Sequence, residues 1–211
     1  MKSRELLKKL HRDKREFVTA GYLEKLCDNF RLSYKSTLSH FLAMGYITRI
    51  FRGIFYVRSP EEIELGSFRY SAYELVAKGM ELKGIERWYF GLHTALKFNH
   101  MTHEHFAVDT VVNERISRPR PVGIAGHKFR FIKMKGVLLD FGVAEEGSLR
   151  YSDPEKTLLD FIYLRRYRGV PEEKILLDLE EWVGNVSMEK AKRYAGKYPK
   201  SVLLTLEKVV A

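Results

Sequence analysis

The sequence predicts an α+β chain in two parts: an N-terminal winged helix-turn-helix over residues 1–60, and a mixed C-terminal domain over 66–211 with a small β-sheet and several helices. Three observations predict it. Residues 1–60 read as three short amphipathic helices followed by a β-hairpin, which is the order of a winged helix. Residues 106–149 change to short β-prone runs punctuated by Gly and Pro. The charge is uneven: residues 1–60 hold 13 Lys/Arg against 5 Asp/Glu, and the remaining residues hold 24 against 22, so most of the net charge of +10 is N-terminal.

The elements follow in order. Leu6, Leu7 and Leu10 recur at helical spacing after Ser3, a good N-cap. A second helix starts near Thr19 and carries Tyr22, Leu23, Leu26 and Cys27 on one face. After the break at Asn29-Phe30-Arg31-Leu32, Ser33 caps a third helix that points Leu38, Phe41 and Leu42 inward and stops near Gly45. Tyr46 to Phe51 and Ile54 to Arg58 form the hairpin, with Arg52-Gly53 as its tight turn, and Ser59-Pro60 closes the unit. A helix is predicted over Ser71 to Leu82 and a largely buried one over Trp88 to Asn99. Strands are predicted at Phe106 to Val112, Lys128 to Met134 and Val137 to Val143. Ser152-Asp153-Pro154-Glu155 is a strong helix start, with Ser152 as cap and Pro154 in the first turn. Glu155, Lys156 and Asp160 are expected to pair on that helix's surface. Helices at about Pro171 to Trp182, Ser187 to Lys197 and Lys200 to Val210 complete the chain.

Composition narrows the function classes. No run approaches the roughly 20 apolar residues that span a bilayer, and the N-terminus leads into an amphipathic segment instead of an apolar signal core. Cys27 is the only cysteine, so no intrachain disulfide forms, and a cytoplasmic location is expected. Clustered positive charge favours polyanion binding, because neutralising phosphates releases counterions.

The third helix carries the functional prediction. At about 100° per residue, Ser36 and His40 lie opposite Leu38, Phe41 and Leu42, with Ser39 beside them and Lys35 on the flank. This outward face is small, polar and free of carboxylates, which allows close approach to base edges and phosphates. Tyr34 in the first turn, Arg31 just before the helix, and Arg49 and Arg52 on the wing complete the predicted contacts to double-stranded DNA. Arg58 also decorates the wing region.

Other constellations have plainer explanations. His100, His103 and His105 flank Glu104, but their spacing is not that of His-Glu-x-x-His, no cysteine assists, and they read as loop histidines. Arg165-Arg166-Tyr167-Arg168 is either a helix C-terminus with favourable dipole charges or an auxiliary contact to nucleic acid or a partner. No phosphate-binding glycine loop and no nucleophile elbow occurs. No catalytic residue, metal ligand or cofactor is predicted, and the chain is not expected to be an enzyme.

Four stretches together resemble a known family: the third helix running into Gly45-Tyr46-Ile47-Thr48-Arg49 and Arg52-Gly53-Ile54-Phe55-Tyr56; Trp88-Tyr89-Phe90-Gly91-Leu92-His93-Thr94-Ala95-Leu96 with Met101-Thr102-His103-Glu104; Gly126-His127-Lys128-Phe129-Arg130-Phe131; and Val143 leading to Tyr151-Ser152-Asp153-Pro154-Glu155-Lys156-Thr157-Leu158-Leu159-Asp160. In these the chain resembles the AbiEi-like antitoxins of type IV toxin–antitoxin systems, which are winged-helix transcriptional regulators. It departs from them at His100-Met101, where a His-Gly-Leu-like turn is usual, and at Lys156, where Arg is commoner. The resemblance implies a repressor of its own operon that binds DNA upstream of its own gene. It also implies a C-terminal antitoxin domain that counters a nucleotidyltransferase-like toxin without a stable complex. The rival reading is a nucleic-acid-modifying enzyme targeted by the winged helix, for which Glu104, Asp109 and Asp140 are the residues to test.

Overall fold

A computed structural model describes residues 2–210; Met1 and Ala211, the outer bounds of the two predicted domains, lie outside the described residues. The chain is mixed α and β and divides into two compact units, Met1–Gly84 with Ile124–Gly126, and Ile85–Gly123 with His127–Ala211.

The first unit begins with α1 (Lys2–Arg12), β1 (Phe17–Thr19), α2 (Ala20–Asn29) and α3 (Tyr34–Ala43). Strands β2 (Ile47–Phe51) and β3 (Ile54–Val57) follow, then α4 (Pro60–Glu64) and α5 (Ala72–Leu82). Thr19 and Ser33 cap α2 and α3, accepting from the amides of Tyr22 at 3.3 Å and Ser36 at 3.5 Å. Both helices end in the same way. The Leu32 amide donates to the Cys27 carbonyl at 2.9 Å and the Arg31 amide to that of Asp28 at 2.9 Å; the Tyr46 amide donates to Phe41 at 2.9 Å and the Gly45 amide to Leu42 at 3.2 Å. These are paired Schellman bonds, and they place Arg31 and Gly45 in the left-handed region at φ 53° and 67°. Glycine adopts that conformation freely, whereas arginine is strained there by about 1–2 kcal/mol. Leu6, Leu10, Leu23, Leu26, Cys27, Phe41 and Ile47 form the core with Val18, Phe55 and Val57.

Two features of this unit differ from the sequence pattern. Strand β1 was not predicted; it pairs antiparallel with β3, Phe17 opposite Tyr56 and Thr19 opposite Ile54, giving a sheet in the order β1-β3-β2. Ser59-Pro60 does not end the unit but opens α4. Ser59 and Glu62 form a reciprocal capping box, and the buried Glu62 carboxylate also accepts from the Tyr56 hydroxyl at 2.7 Å. Helix α5 packs on β2 and β3, and its Gly79 lies so close that a Cβ would sit 2.7 Å from Ile50 Cγ2. These contacts carry the unit on to Gly84.

The second unit is built on a six-stranded mixed sheet in the order β6-β7-β5-β4-β9-β8. Its strands are β4 (Trp88–Phe90), β5 (Asp109–Asn113), β6 (Val122–Ile124), β7 (His127–Lys133), β8 (Val143–Glu146) and β9 (Leu149–Ser152). Helix α6 (His93–Phe98) follows β4; α7 (Pro154–Tyr167), α8 (Glu172–Val183), α9 (Met188–Ala195) and α10 (Lys200–Val210) follow β9. The predicted helix over Trp88 to Asn99 is therefore corrected. Trp88-Tyr89-Phe90 forms a strand, as aromatic residues favour, and the chain breaks at Gly91 before a short helix. Val137 to Val143 is likewise not a strand. Gly136–Leu138 forms a 3-10 turn and pairing begins only at Val143.

Asp153, not Ser152, caps α7, accepting from the Lys156 amide at 2.8 Å. Ser152 is buried and bonds Thr157 Oγ1 at 2.7 Å. Helix α7 is covered on nearly every side, with Leu158, Leu159, Phe161 and Ile162 all in the core. Lys156 and Asp160 are buried with them at 0% exposure, so the predicted surface pairing is corrected. Asp160 accepts from the hydroxyls of Tyr89 at 2.7 Å and Tyr198 at 2.6 Å. Lys156 Nζ donates to the Leu138 carbonyl at 2.6 Å, lies 3.4 Å from Asp160 Oδ1 and sits over the Phe141 ring at 4.4 Å. Every hydrogen-bonding group of this buried cluster is thus satisfied, as burial requires. Among the described residues no helix is long and apolar enough to cross a membrane.

Candidate nucleic-acid interface

Helix α3 has two faces. Thr37 and Phe41 are buried, and Leu38 and Leu42 are half-buried against them. The opposite face presents Lys35, Ser36, Ser39 and His40, all exposed. No residue of α3 is acidic. The His40 ring meets Tyr46 edge-on at 6.0 Å, which orients it without burying it.

Tyr34 is half-buried at the first turn. Burial, and then the nearby Glu24 carboxylate, push its phenol above the usual range, while Arg49 pulls it down; the hydroxyl stays a neutral donor. Arg31 is exposed in the turn between α2 and α3. Arg49 is exposed on β2, its guanidinium 5.7 Å from the Phe55 ring. Arg52 is exposed at the hairpin tip, where Gly53 takes φ 79°. All eight predicted contact residues thus lie on α3, the turn before it and the hairpin after it.

Arg58 has another task. Its guanidinium donates to the carbonyls of Gly45 at 3.3 Å, Ser67 at 2.9 Å and Glu62, and lies over the Phe68 ring at 4.7 Å. It braces the hairpin instead of projecting from it. Lys83, by contrast, adds a cation to the hairpin tip: its Nζ donates to the Arg52 carbonyl at 3.2 Å. No local pattern announces this, because 31 residues separate the two.

The other constellations are placed as follows. His100 sits at φ 55°, where its backbone closes the end of α6, the Met101 amide donating to Leu96 at 2.9 Å. Among the described residues no three His, Cys, Asp or Glu side chains gather as a metal site. Of the enzyme candidates, Glu104 lies exposed in a loop, Asp109 at the start of β5 accepts from Thr94 Oγ1 at 3.2 Å, and Asp140 pairs with Arg87 at 3.1 Å. At the end of α7, Arg165 pairs with Asp178, and Arg166 with Glu172 at 2.8 Å.

No protein-family model and no curated protein matches the chain. Among solved structures, the chain is similar to the Rv2827c protein of Mycobacterium tuberculosis, with a TM-score of 0.60 at 15% identity over 99% of this chain and 75% of the other. At that identity the likeness speaks for the fold alone.

Proposed function

We propose that the chain is a DNA-binding transcriptional regulator whose first unit is a winged helix-turn-helix. In this reading α2 and α3 are the helix-turn-helix, α3 enters the major groove, and the β2–β3 hairpin is the wing. The observation that carries it is the exposed face of Lys35, Ser36, Ser39 and His40, free of carboxylates and flanked by Arg31, Arg49 and Arg52. A helix fits the major groove, and small polar side chains let its backbone come near the base edges. The second unit is read as an antitoxin module of the AbiEi kind, and the regulator as a repressor of its own operon that counters a nucleotidyltransferase-like toxin. That part rests on the sequence resemblance.

A gel-shift salt series on duplex DNA from upstream of the gene tests the site. Arg52→Ala and Lys35→Ala should each weaken binding and flatten the slope of log affinity against log salt by about 0.9, the loss of one phosphate contact. Unchanged slopes in both variants remove the assignment.

A further inference from the structure

We propose that the second unit carries a nucleic-acid site of its own, a cationic groove that takes a single-stranded segment. Residues 85–211 hold 21 Lys/Arg against 17 Asp/Glu, close to balance, but the charges are segregated. Two adjoining cavities of about 370 and 450 Å³ share Arg130, Ile132, Leu164 and Arg168 in their walls. Lys174 lines one; Arg118 and Lys133 line the other. The single carboxylate in either wall, Asp178, is already paired with Arg165. The side chains of Arg118, Arg130, Lys133, Arg168 and Lys174 are exposed and have no ion-pair or hydrogen-bond partner among the described residues. Half-buried His93 also lines the first cavity, its imidazole held below the usual range first by burial and then by repulsion from Arg165, with Glu104 opposing.

Unpaired cations converging on a concave wall suit the phosphates of a nucleic acid. Shape and aromatic content favour a single strand. A duplex is a rigid rod with its phosphates on a convex surface, and clefts of this volume do not admit it, whereas each accepts about one nucleotide. Tyr167, beside Arg168 in the wall, is 81% exposed and offers a ring face on which a base stacks; cationic grooves with aromatic platforms are how single strands are held. This site does not depend on the duplex-binding face of the first unit.

The test uses the full chain and fluorescence anisotropy with fluorescein-labelled oligo(dT) and oligo(U) of about 12 nucleotides. Binding is expected at about 50 mM salt and should fall steeply by about 200 mM. Arg130→Ala with Arg168→Ala should weaken it about tenfold or more and reduce the salt slope by about 1.4, two single-strand phosphate contacts. Tyr167→Ala should weaken it about fivefold or more while Tyr167→Phe retains it. The double variant should leave the duplex gel shift intact, and Arg52→Ala should leave single-strand binding intact, so failure of either site is read separately. The proposal is overturned by absence of binding at low salt, by a double variant that binds like the parent, or by displacement of the oligonucleotide by excess duplex. All substituted side chains are exposed, and a thermal melt matching the parent confirms the fold.

Discussion

Replacing Asp160 with Ala should destabilise the second unit by about 3–5 kcal/mol, the cost of breaking a buried ion pair from one side. The magnitude follows from what the carboxylate holds. It accepts from Tyr89 and Tyr198 at 2.7 and 2.6 Å and faces Lys156 Nζ at 3.4 Å. Hydrogen bonds to a charged group contribute about 1.5–3 kcal/mol each. The substitution removes the acceptor of two phenol hydroxyls and the counter-charge of an ammonium in a core where all three residues are nearly inaccessible. Lys156→Met should cost less, because Asp160 keeps both tyrosine donors. Lys156→Met with Asp160→Leu should cost less than Asp160→Ala alone, since no unpaired charge remains. Both tryptophans, Trp88 and Trp182, lie in this unit, so urea unfolding followed by tryptophan fluorescence reports on it. A loss below about 1 kcal/mol for Asp160→Ala, or a double variant less stable than the single, would refute the reasoning.

Arg31→Gly should leave stability unchanged or raise it by up to about 1 kcal/mol by relieving the left-handed strain, yet weaken duplex binding; a thermal melt and a gel shift read the two effects, and a clear loss of stability contradicts the turn geometry. Gly79→Ala should destabilise the first unit by about 1–2 kcal/mol, overpacking against Ile50 and Phe51 outweighing the gain in helix propensity, and a far-UV circular dichroism melt that matches the parent would exclude it. Stability should also fall as pH rises above about 10, the unfolded tyrosine value. Burial and then Asp160 raise the phenols of Tyr89 and Tyr198, and burial and then Glu62 raise that of Tyr56. These groups keep their protons in the folded state after the unfolded chain has lost them, so their contribution is complete below pH 10 and is lost above it. Melting temperatures that stay level from about pH 9 to 11 would contradict this.

The helical part of the first unit was legible because its signals are local. Thr19 and Ser33 cap as their side chains dictate, and Gly45 stops α3 where only a residue tolerating positive φ fits. Strand β1 was not legible: three residues carry no period, and Phe17–Thr19 becomes a strand only through pairing with β3. Trp88-Tyr89-Phe90 blends into the following helix in sequence because both are apolar, and the break rests on Gly91 and Leu92. Lys156 and Asp160 have the spacing of a surface pair. Their burial comes from tertiary contacts: Tyr89, Leu138 and Tyr198 close over the face of α7 that lies opposite Leu158, Phe161 and Ile162. The exposed face of α3 could be drawn from periodicity alone, whereas the inward role of Arg58 and the approach of Lys83 to Arg52 depend on tertiary contacts.

The central claim, that the first unit reads duplex DNA through α3 and the β2–β3 hairpin, is tested most directly by footprinting on the DNA upstream of the gene. The account predicts a discrete protected segment that is lost when Lys35 and Arg52 are both replaced by Ala. Uniform cleavage at every protein concentration, or a footprint that the double variant reproduces, would contradict it.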